Sequence, residues 1–313
     1  MSRSSPLVAT PVATGDTDRL HRADELAARI ARRLDLPEPR RERVSMNAVY
    51  VAGPCAIRVC RPTTDPVVAI HAAHFLAERD ITVARPYVSR SFVDVDLDPD
   101  LWGTTWHLVD IDHDAVPDWT DVGRMVRTLH DVPLDDVAAM HPLPLAGQFP
   151  WWNLETTIEE LSAEQPREVT HVLVDAHERL RWVSSHLTSP HPDHVVVHGD
   201  LHSGNVVVER RTGRTIILDW DLLASSPRGW DHGPLLRWTE RWGGRPGTYE
   251  EFAAGYGENL SADPVTRGIA ELRLLVATVM RLRASITDAT ARDEAVKRVG
   301  FWSGNDTRSW NAV

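Results

Sequence analysis

His198, Asp200, His202 and Asn205 crowd into one short stretch, HGDLHSGN, and two further carboxylates, Asp219 and Asp221, follow in ILDWD. Val206 to Val208 and Ile216 to Leu218 flank the polar segment ERRTGRT, whose Gly213 suits a turn, so this spacing predicts a β-hairpin. Antiparallel strands return the chain to its starting point. Asn205, just before the first strand, and Asp219, just after the second, are therefore expected together at the hairpin's open end. An amide oxygen and a carboxylate facing one point suit Mg²⁺, a hard cation that keeps several waters and is completed by substrate phosphates. Asp200 lies five residues before Asn205, on the loop that follows the apolar strand Val195 to Val197. It supplies a second carboxylate beside the metal that is not spent as a ligand. A different reading of the same stretch takes His198, Asp200 and His202, at alternating positions, as a transition-metal cluster.

The spacing H-G-D-x-x-x-x-N, followed by an Asp closing a hairpin, resembles the catalytic loop and metal Asp of kinases, H-R-D-x-x-x-x-N and then D-F-G. With HGD for HRD and DWD for DFG, it looks like the aminoglycoside phosphotransferase family and its small-molecule kinase relatives. That resemblance implies an α+β, bilobal protein-kinase-like fold, with a small lobe on an antiparallel sheet and a larger, mainly helical lobe. It implies ATP or GTP as co-substrate and Mg²⁺ as cofactor. It makes Asp200 the base that accepts the proton of a substrate hydroxyl, with Asn205 and Asp219 holding the metal. Phosphoryl transfer needs little more than an oriented hydroxyl and positive charge on the phosphate oxygens.

Farther upstream, Ala56-Ile57-Arg58 resembles the kinase tripeptide A-I-K, with Ala56 against the base and Arg58 on the phosphates; arginine makes that contact bidentately but is longer and flatter than lysine. Ser45-Met46-Asn47 stands where protein kinases carry a Gly-rich loop, and Asn47 is assigned to the nucleotide site. His107-Leu108-Val109-Asp110 is the candidate hinge, where the backbone of Leu108 and Val109 would read the base. The pattern also departs from the family. The helix expected from roughly Pro66 to Arg79 has no Glu before Glu78, and Ala69 and His71 occupy the region where an acidic partner for the phosphate-binding cation belongs.

The elements that must position these residues are legible in outline. Leu20, Ala23, Leu26, Ala27, Ile30 and Leu34 fall at helical spacing from Asp18 to Leu34. Val44 to Ala52 reads as a strand, Gly53-Pro54 as a turn and Cys55 to Cys60 as the return strand, with Ala56, Arg58 and Cys60 on one face. A strand near Ser91 to Val95, an Asp/Pro-rich turn and a strand near Thr104 to Val109 follow. Trp119 to His130 puts Val122, Met125, Val126 and Leu129 on one helical face. Helices are expected from about Glu168 to Leu187, from Leu272 to Leu282 and near Asp293 to Val299. Asp231 reads as an N-cap or an anchor for the catalytic loop. Trp230, Trp238, Trp242, Glu240 and Glu250 are expected to offer a substrate wall, and Trp151 and Trp152 could stack on a ring. The expected division is a tail at 1–17, a small nucleotide-binding lobe at 18–109 and a large lobe at 110–313.

The 313-residue chain is 42% hydrophobic and 25% charged, ordinary for a globular protein. It has no run approaching a membrane span and no signal peptide, so a cytoplasmic address is expected. A net charge of −11 argues against a nucleic-acid partner. Nine Asp and no Lys or Arg fall between Asp94 and Asp121. With the overall charge, they are compatible with a cationic acceptor. The acceptor favoured by the resemblance is an aminoglycoside or another hydroxylated antibiotic; a sugar, choline or homoserine is the alternative, and a nucleotide-binding pseudokinase is the reading of a different class. The assembly is expected to be a monomer or homodimer. Cys55 and Cys60 lie at opposite parity on one strand, which disfavours a disulfide. Lys297 is the only lysine, so a phosphate-binding cation in the first half must be arginine.

Overall fold

Alternating apolar residues in AVYVA and CAIRVC drive two neighbouring strands, and the computed structural model places them at the centre of an antiparallel sheet. The structure describes residues 17–44, 47–62, 65–149 and 153–311. In chain order the first elements are α1 (Thr17–Arg33), β1 (Arg40–Val44), β2 (Ala48–Ala52), β3 (Cys55–Cys60), α2 (Val67–Ala77), β4 (Phe92–Asp94), β5 (Asp98–His107), α3 (Trp119–His130) and α4 (Leu134–Ala138). They are followed by α5 (Leu154–Leu161), α6 (Arg167–Thr188), β6 (Val195–Val197), β7 (Val206–Val208), β8 (Thr215–Ile217) and β9 (Ala224–Ser226). The chain ends with α7 (Gly229–Leu236), α8 (Trp238–Trp242), α9 (Thr248–Tyr256), α10 (Pro264–Thr287) and α11 (Arg292–Trp302). Among the described residues no helix is long and apolar enough to cross a membrane. By internal contacts the chain divides into two units. The first takes the chain up to Asp118 with Pro133–Leu143 and Gly204–Leu223; the second takes Trp119–Val132, Pro144–Ser203 and the chain from Ala224 on.

In the first unit five strands run in the order β1-β2-β3-β5-β4. The apolar face of α1, with Ala23, Leu26, Ala27 and Ile30, packs on Tyr50, Ile57, Val59 and Leu101 of the sheet to form one buried core. Two expectations need correction. The strand expected over Val44 to Ala52 is two: β1 ends at Val44 and β2 starts at Ala48, and β1 is a fully exposed edge strand, RRERV, whose charge guards the sheet edge. The Asp/Pro-rich segment expected as a turn belongs largely to β5, which starts at Asp98; Arg22 of α1 bonds Asp98 at 2.9 Å and secures that end of the strand. The β7–β8 hairpin belongs to this unit too, held by Ile217 N–H to Thr82 O at 3.0 Å and Asp112 N–H to Val208 O at 2.8 Å.

The second unit is mainly helical. Its long helix α10 starts at Asp263, whose side chain accepts from Thr266 N–H at 2.7 Å, with Pro264 in the first turn. α10 packs against α5, α6, α7 and α11, and α3 packs along α9. The short strands β6 and β9 pair antiparallel, Val196 opposite Ser225, and give the HGD loop a fixed point of departure.

Candidate active site

In the first unit Ala56 and Arg58 share one face of β3, opposite Trp106 and Thr104 of β5. Arg58 is mostly buried and needs compensating charge. The helix α2 supplies none, and the compensation comes from the other end of the sequence. The turn Trp220–Leu222 packs on α2, and Asp221 forms a close ion pair with Arg58, with Asp219 3.6 Å from the same nitrogen. Asn47, with its amide oxygen turned inward, accepts from Arg58 Nε at 3.0 Å. Burial opposes the guanidinium charge, yet Asp221 and Asp219 outweigh it and hold Arg58 above its ordinary range. The missing helix Glu is thus replaced by the second Asp of DWD.

The hairpin pairs as the sequence predicts, Val206 opposite Ile217, and Leu218 N–H donates to Asn205 O at 2.8 Å across its open end. Asp219 follows at once in the left-handed region, φ 63°, a conformation that Asp tolerates better than most residues and that often marks functional positions. Its side chain is 43% exposed, whereas that of Asp221 is 16% exposed and is committed to Arg58. Leu108 and Val109 lie just beyond the end of β5, and the Leu108 N–H is already engaged with Pro54 O at 2.8 Å.

In the second unit the HGD loop is pinned from below. Asp231, wholly buried, accepts from the backbone N–H of His198 at 2.8 Å and of Gly199 at 3.3 Å, and its carboxylate also meets His130 Nε2 at 3.2 Å. It is a loop anchor rather than a helix cap. Burial opposes its charge, but His130 and His198 hold its carboxyl below the usual range. Gly199 has φ 89°, which a side chain rarely adopts. This conformation lets its carbonyl accept from both Trp230 Nε1 at 2.7 Å and Arg273 Nη1 at 3.1 Å. Asp200 N–H donates to His198 Nδ1 at 3.2 Å.

The Asp200 carboxylate is held from a distant helix. Arg273, on α10, donates to Oδ1 at 2.9 Å while its guanidinium lies over the Trp230 ring, 5.2 Å from the centroid; His202 Nε2 stands 3.6 Å from Oδ2. Burial works against its charge, but His202, Arg273 and His198 more than offset that and hold the carboxyl well below its ordinary range. Asp200 is therefore ionised at neutral pH, a fixed acceptor for a hydroxyl proton. Arg273 and His202 also line a cavity of about 300 Å³ in this unit, together with Trp238, Trp242, Arg237 and Arg298.

The structure thus gathers Asn47, Arg58 and Asp219 in the first unit, with Ala56 on the same strand face as Arg58; in the second, Asp200 bonds Arg273, which lines the cavity. Trp230 is not a wall residue: it is fully buried beneath the loop. Trp238 and Trp242 do line the cavity, whereas Glu240 is paired with Arg237 at 2.9 Å and Glu250 is not among the lining residues. Trp151 and Trp152 lie outside the described residues. His198 and His202 form no transition-metal set with Asp200: among the described residues no three His, Cys, Asp or Glu side chains gather to hold a metal. Both cysteines are free and buried. Sequence reasoning missed two residues. Asp221 had a signal in the repeated carboxylate of DWD; Arg273, 73 residues beyond its partner, had none.

The model of one family, described as the phosphotransferase enzyme family, matches residues 57–275, a span that takes in Arg58, the HGD loop, the hairpin, DWD and Arg273. The chain belongs to the phosphotransferase enzyme family. No curated protein matches it in sequence. Solved structures share this chain's protein-kinase-like fold at low identity. The spectinomycin phosphotransferase APH(9)-Ia, in complex with ADP and spectinomycin, superposes with a TM-score of 0.64 at 13% identity, over 88% of this chain and 93% of that one. The amicoumacin kinase hAmiN, in complex with AMP-PNP, Ca²⁺ and Ami, gives 0.65 at 14% identity over 95% and 98%. The GDP complex of aminoglycoside 2'-phosphotransferase-IIIa gives 0.61 at 14% over 91% and 98%.

Proposed function

We propose that this phosphotransferase moves the γ-phosphoryl group of ATP or GTP to a hydroxyl of a small organic molecule. The observation that carries the reading is the Asp200 carboxylate bonded to Arg273, which itself lines a ligand-sized cavity, in a chain whose family transfers phosphoryl groups. The first unit carries the nucleotide. Arg58, held by Asp221 and Asn47, neutralises phosphate oxygens, with Ala56 against the base and the chain at Leu108 and Val109 beside it. The second unit carries the acceptor. Asp200 accepts a hydrogen bond from the acceptor hydroxyl, aligns its oxygen on the γ-phosphorus and takes its proton as the new O–P bond forms and the bond to the β-phosphate oxygen breaks. ADP or GDP leaves. Because the transition state is loose, orientation matters more than basicity, and a carboxylate with a depressed pKa suits the task.

Asn205 and Asp219 would hold Mg²⁺. Their donors are hard oxygens, and the Asp219 side chain, 3.6 Å from Arg58, is 43% exposed against 16% for Asp221, which fits a cation that takes few protein ligands. When bound, the cation supplies positive charge to the phosphate oxygens. The absent helix Glu would favour a nucleotide binder without turnover, but Asp221 fills that place. The ADP, AMP-PNP and GDP bound by similar structures support either donor, and their antibiotic ligands support an antibiotic as acceptor. A co-substrate of this kind accords with a cytoplasmic address.

The test is Mg²⁺-dependent release of ADP and GDP across a panel of hydroxylated antibiotics, sugars and amino alcohols. Asp200→Asn is expected to abolish release while nucleotide affinity stays within about threefold, since the residue acts on the acceptor. Unchanged turnover in that variant would overturn the assignment.

A further inference from the structure

The cavity lined by Arg273, the partner of Asp200, has a charge and a shape that constrain what enters it. Arg237, Arg273, Arg298 and His202 line it, and among the described lining residues there is no carboxylate. The acids that pair with these arginines lie outside the lining: Asp200 pairs with Arg273, Glu240 and Glu271 with Arg237, and Glu294 with Arg298, each at 2.9 Å. An ammonium group entering here would lose water and face guanidinium groups, with no carboxylate among the described lining residues to receive it.

Two indoles form the rest of the recognition surface. Trp242 is fixed edge-on to Trp310, with ring centroids 5.4 Å apart, and Arg298 lies 4.9 Å over its ring. Trp238 lies so close to Gly244 that a Cβ there would stand 1.9 Å from Nε1, so a glycine makes room for the indole. Both rings are half-buried, which leaves part of each for a ligand. A cavity of about 300 Å³ is at the small end of ligand sites, which run from about 300 to 1,000 Å³.

The geometry points to an acceptor that carries no ammonium group: a small hydroxylated compound, uncharged or anionic, with a flat aromatic face that stacks on Trp238 and Trp242 while a hydroxyl reaches Asp200. This rests on the phosphotransferase reading for the role of Asp200 but not for the binding preference itself. The strongly acidic overall charge suggests the opposite preference, and the local wall outranks it because screening confines distant surface charges to about a Debye length, ~8–10 Å.

Four probes of graded charge test it by calorimetric titration of the full chain: phenyl glucoside, phenyl glucuronide, phenyl glucosaminide and kanamycin. The glucoside and glucuronide are expected to bind at least about tenfold more tightly than the two amines. Trp238→Ala should weaken the aryl glycosides by up to about tenfold. Arg237→Glu should reverse the order; Arg237→Gln, which keeps side-chain donors for Glu240 and Glu271, should narrow the gap and guards against a folding failure. Tighter binding of the amines, or no binding of any aryl glycoside, overturns the inference. Nucleotide turnover with kanamycin would overturn it while leaving phosphoryl transfer intact. Binding in the expected order without any ADP or GDP release would do the reverse.

Discussion

At the residue scale the site depends on charges held by charges. Arg273 both bonds Asp200 and caps the Gly199 carbonyl, so its removal frees the carboxylate to rotate. Arg273→Gln is expected to lower kcat by about a hundredfold, the cost of a misplaced reacting group. The KM for nucleotide should stay unchanged, because Arg273 bonds the proposed base, in the second unit, and not Arg58. Arg273→Lys should recover part of this loss, since one ammonium cannot reproduce a two-pronged contact. Steady-state kinetics varying each substrate separates these effects. Asp221→Asn leaves Arg58 buried beside a neutral amide. Loss of one member of a buried pair costs about 3–5 kcal/mol at full burial, and this pair, with side chains 18% and 16% exposed, should lose somewhat less. The measurement is a denaturant midpoint, together with a raised nucleotide KM. The hairpin that brings Asn205 and Asp219 to one end, and the loop that carries Asp200, were legible in the sequence because their spacing is local. Arg273 was not, because no periodicity links a loop to the helix that happens to reach it.

At the element scale the loop is only as firm as α7, which carries Asp231, and α7 in turn packs on α9. His232 sits there with its ring 4.5 Å from that of Tyr256 and 4.9 Å from that of Phe252. Burial pushes this imidazole from its ordinary 6.5 down to about 3. Above pH ~6.5 both folded and unfolded chains hold it neutral and the fold keeps its full stability. Between about 6.5 and 3 the unfolded chain takes up a proton that the folded chain refuses. Stability should therefore fall by up to about 1.4 kcal/mol per pH unit on acidification. His141 and His194, depressed by burial as well, act in the same direction. His232→Phe, which suits the aromatic surroundings, should flatten the urea midpoint against pH; an unchanged slope would place the acid sensitivity elsewhere. Periodicity located α1, α3, α6 and α10, since each buries one stripe. It misjudged the start of β5, because Asp and Pro read as a turn and only the contact with Arg22 shows why the strand continues through them.

At the scale of the whole molecule the two contact units do not follow the order of the chain. The first unit borrows Gly204–Leu223 from far downstream, and the hairpin is tied in by Arg210 N–H to Asp110 O at 2.7 Å and by Asp118 N–H to Thr215 Oγ1 at 3.0 Å. A fragment ending at Asp118 is therefore expected to unfold without a cooperative transition in circular dichroism, whereas adding a peptide of residues 204–223 should sharpen it. The hairpin itself is legible, but no sequence pattern reveals its borrowing, because its ties to Thr82, Asp110 and Asp112 are backbone hydrogen bonds that leave no side-chain signature. One further consequence follows from the guanidinium of Arg58, on a chain whose single amine side chain, Lys297, is tied to Glu294 and to Ser309 O. Acyl-phosphate analogues of ATP mark kinases by acylating a lysine at the phosphates, and they would find none on this strand. The protein should escape activity profiling built on such reagents, while arginine-directed dicarbonyls should inactivate it and nucleotide should protect it.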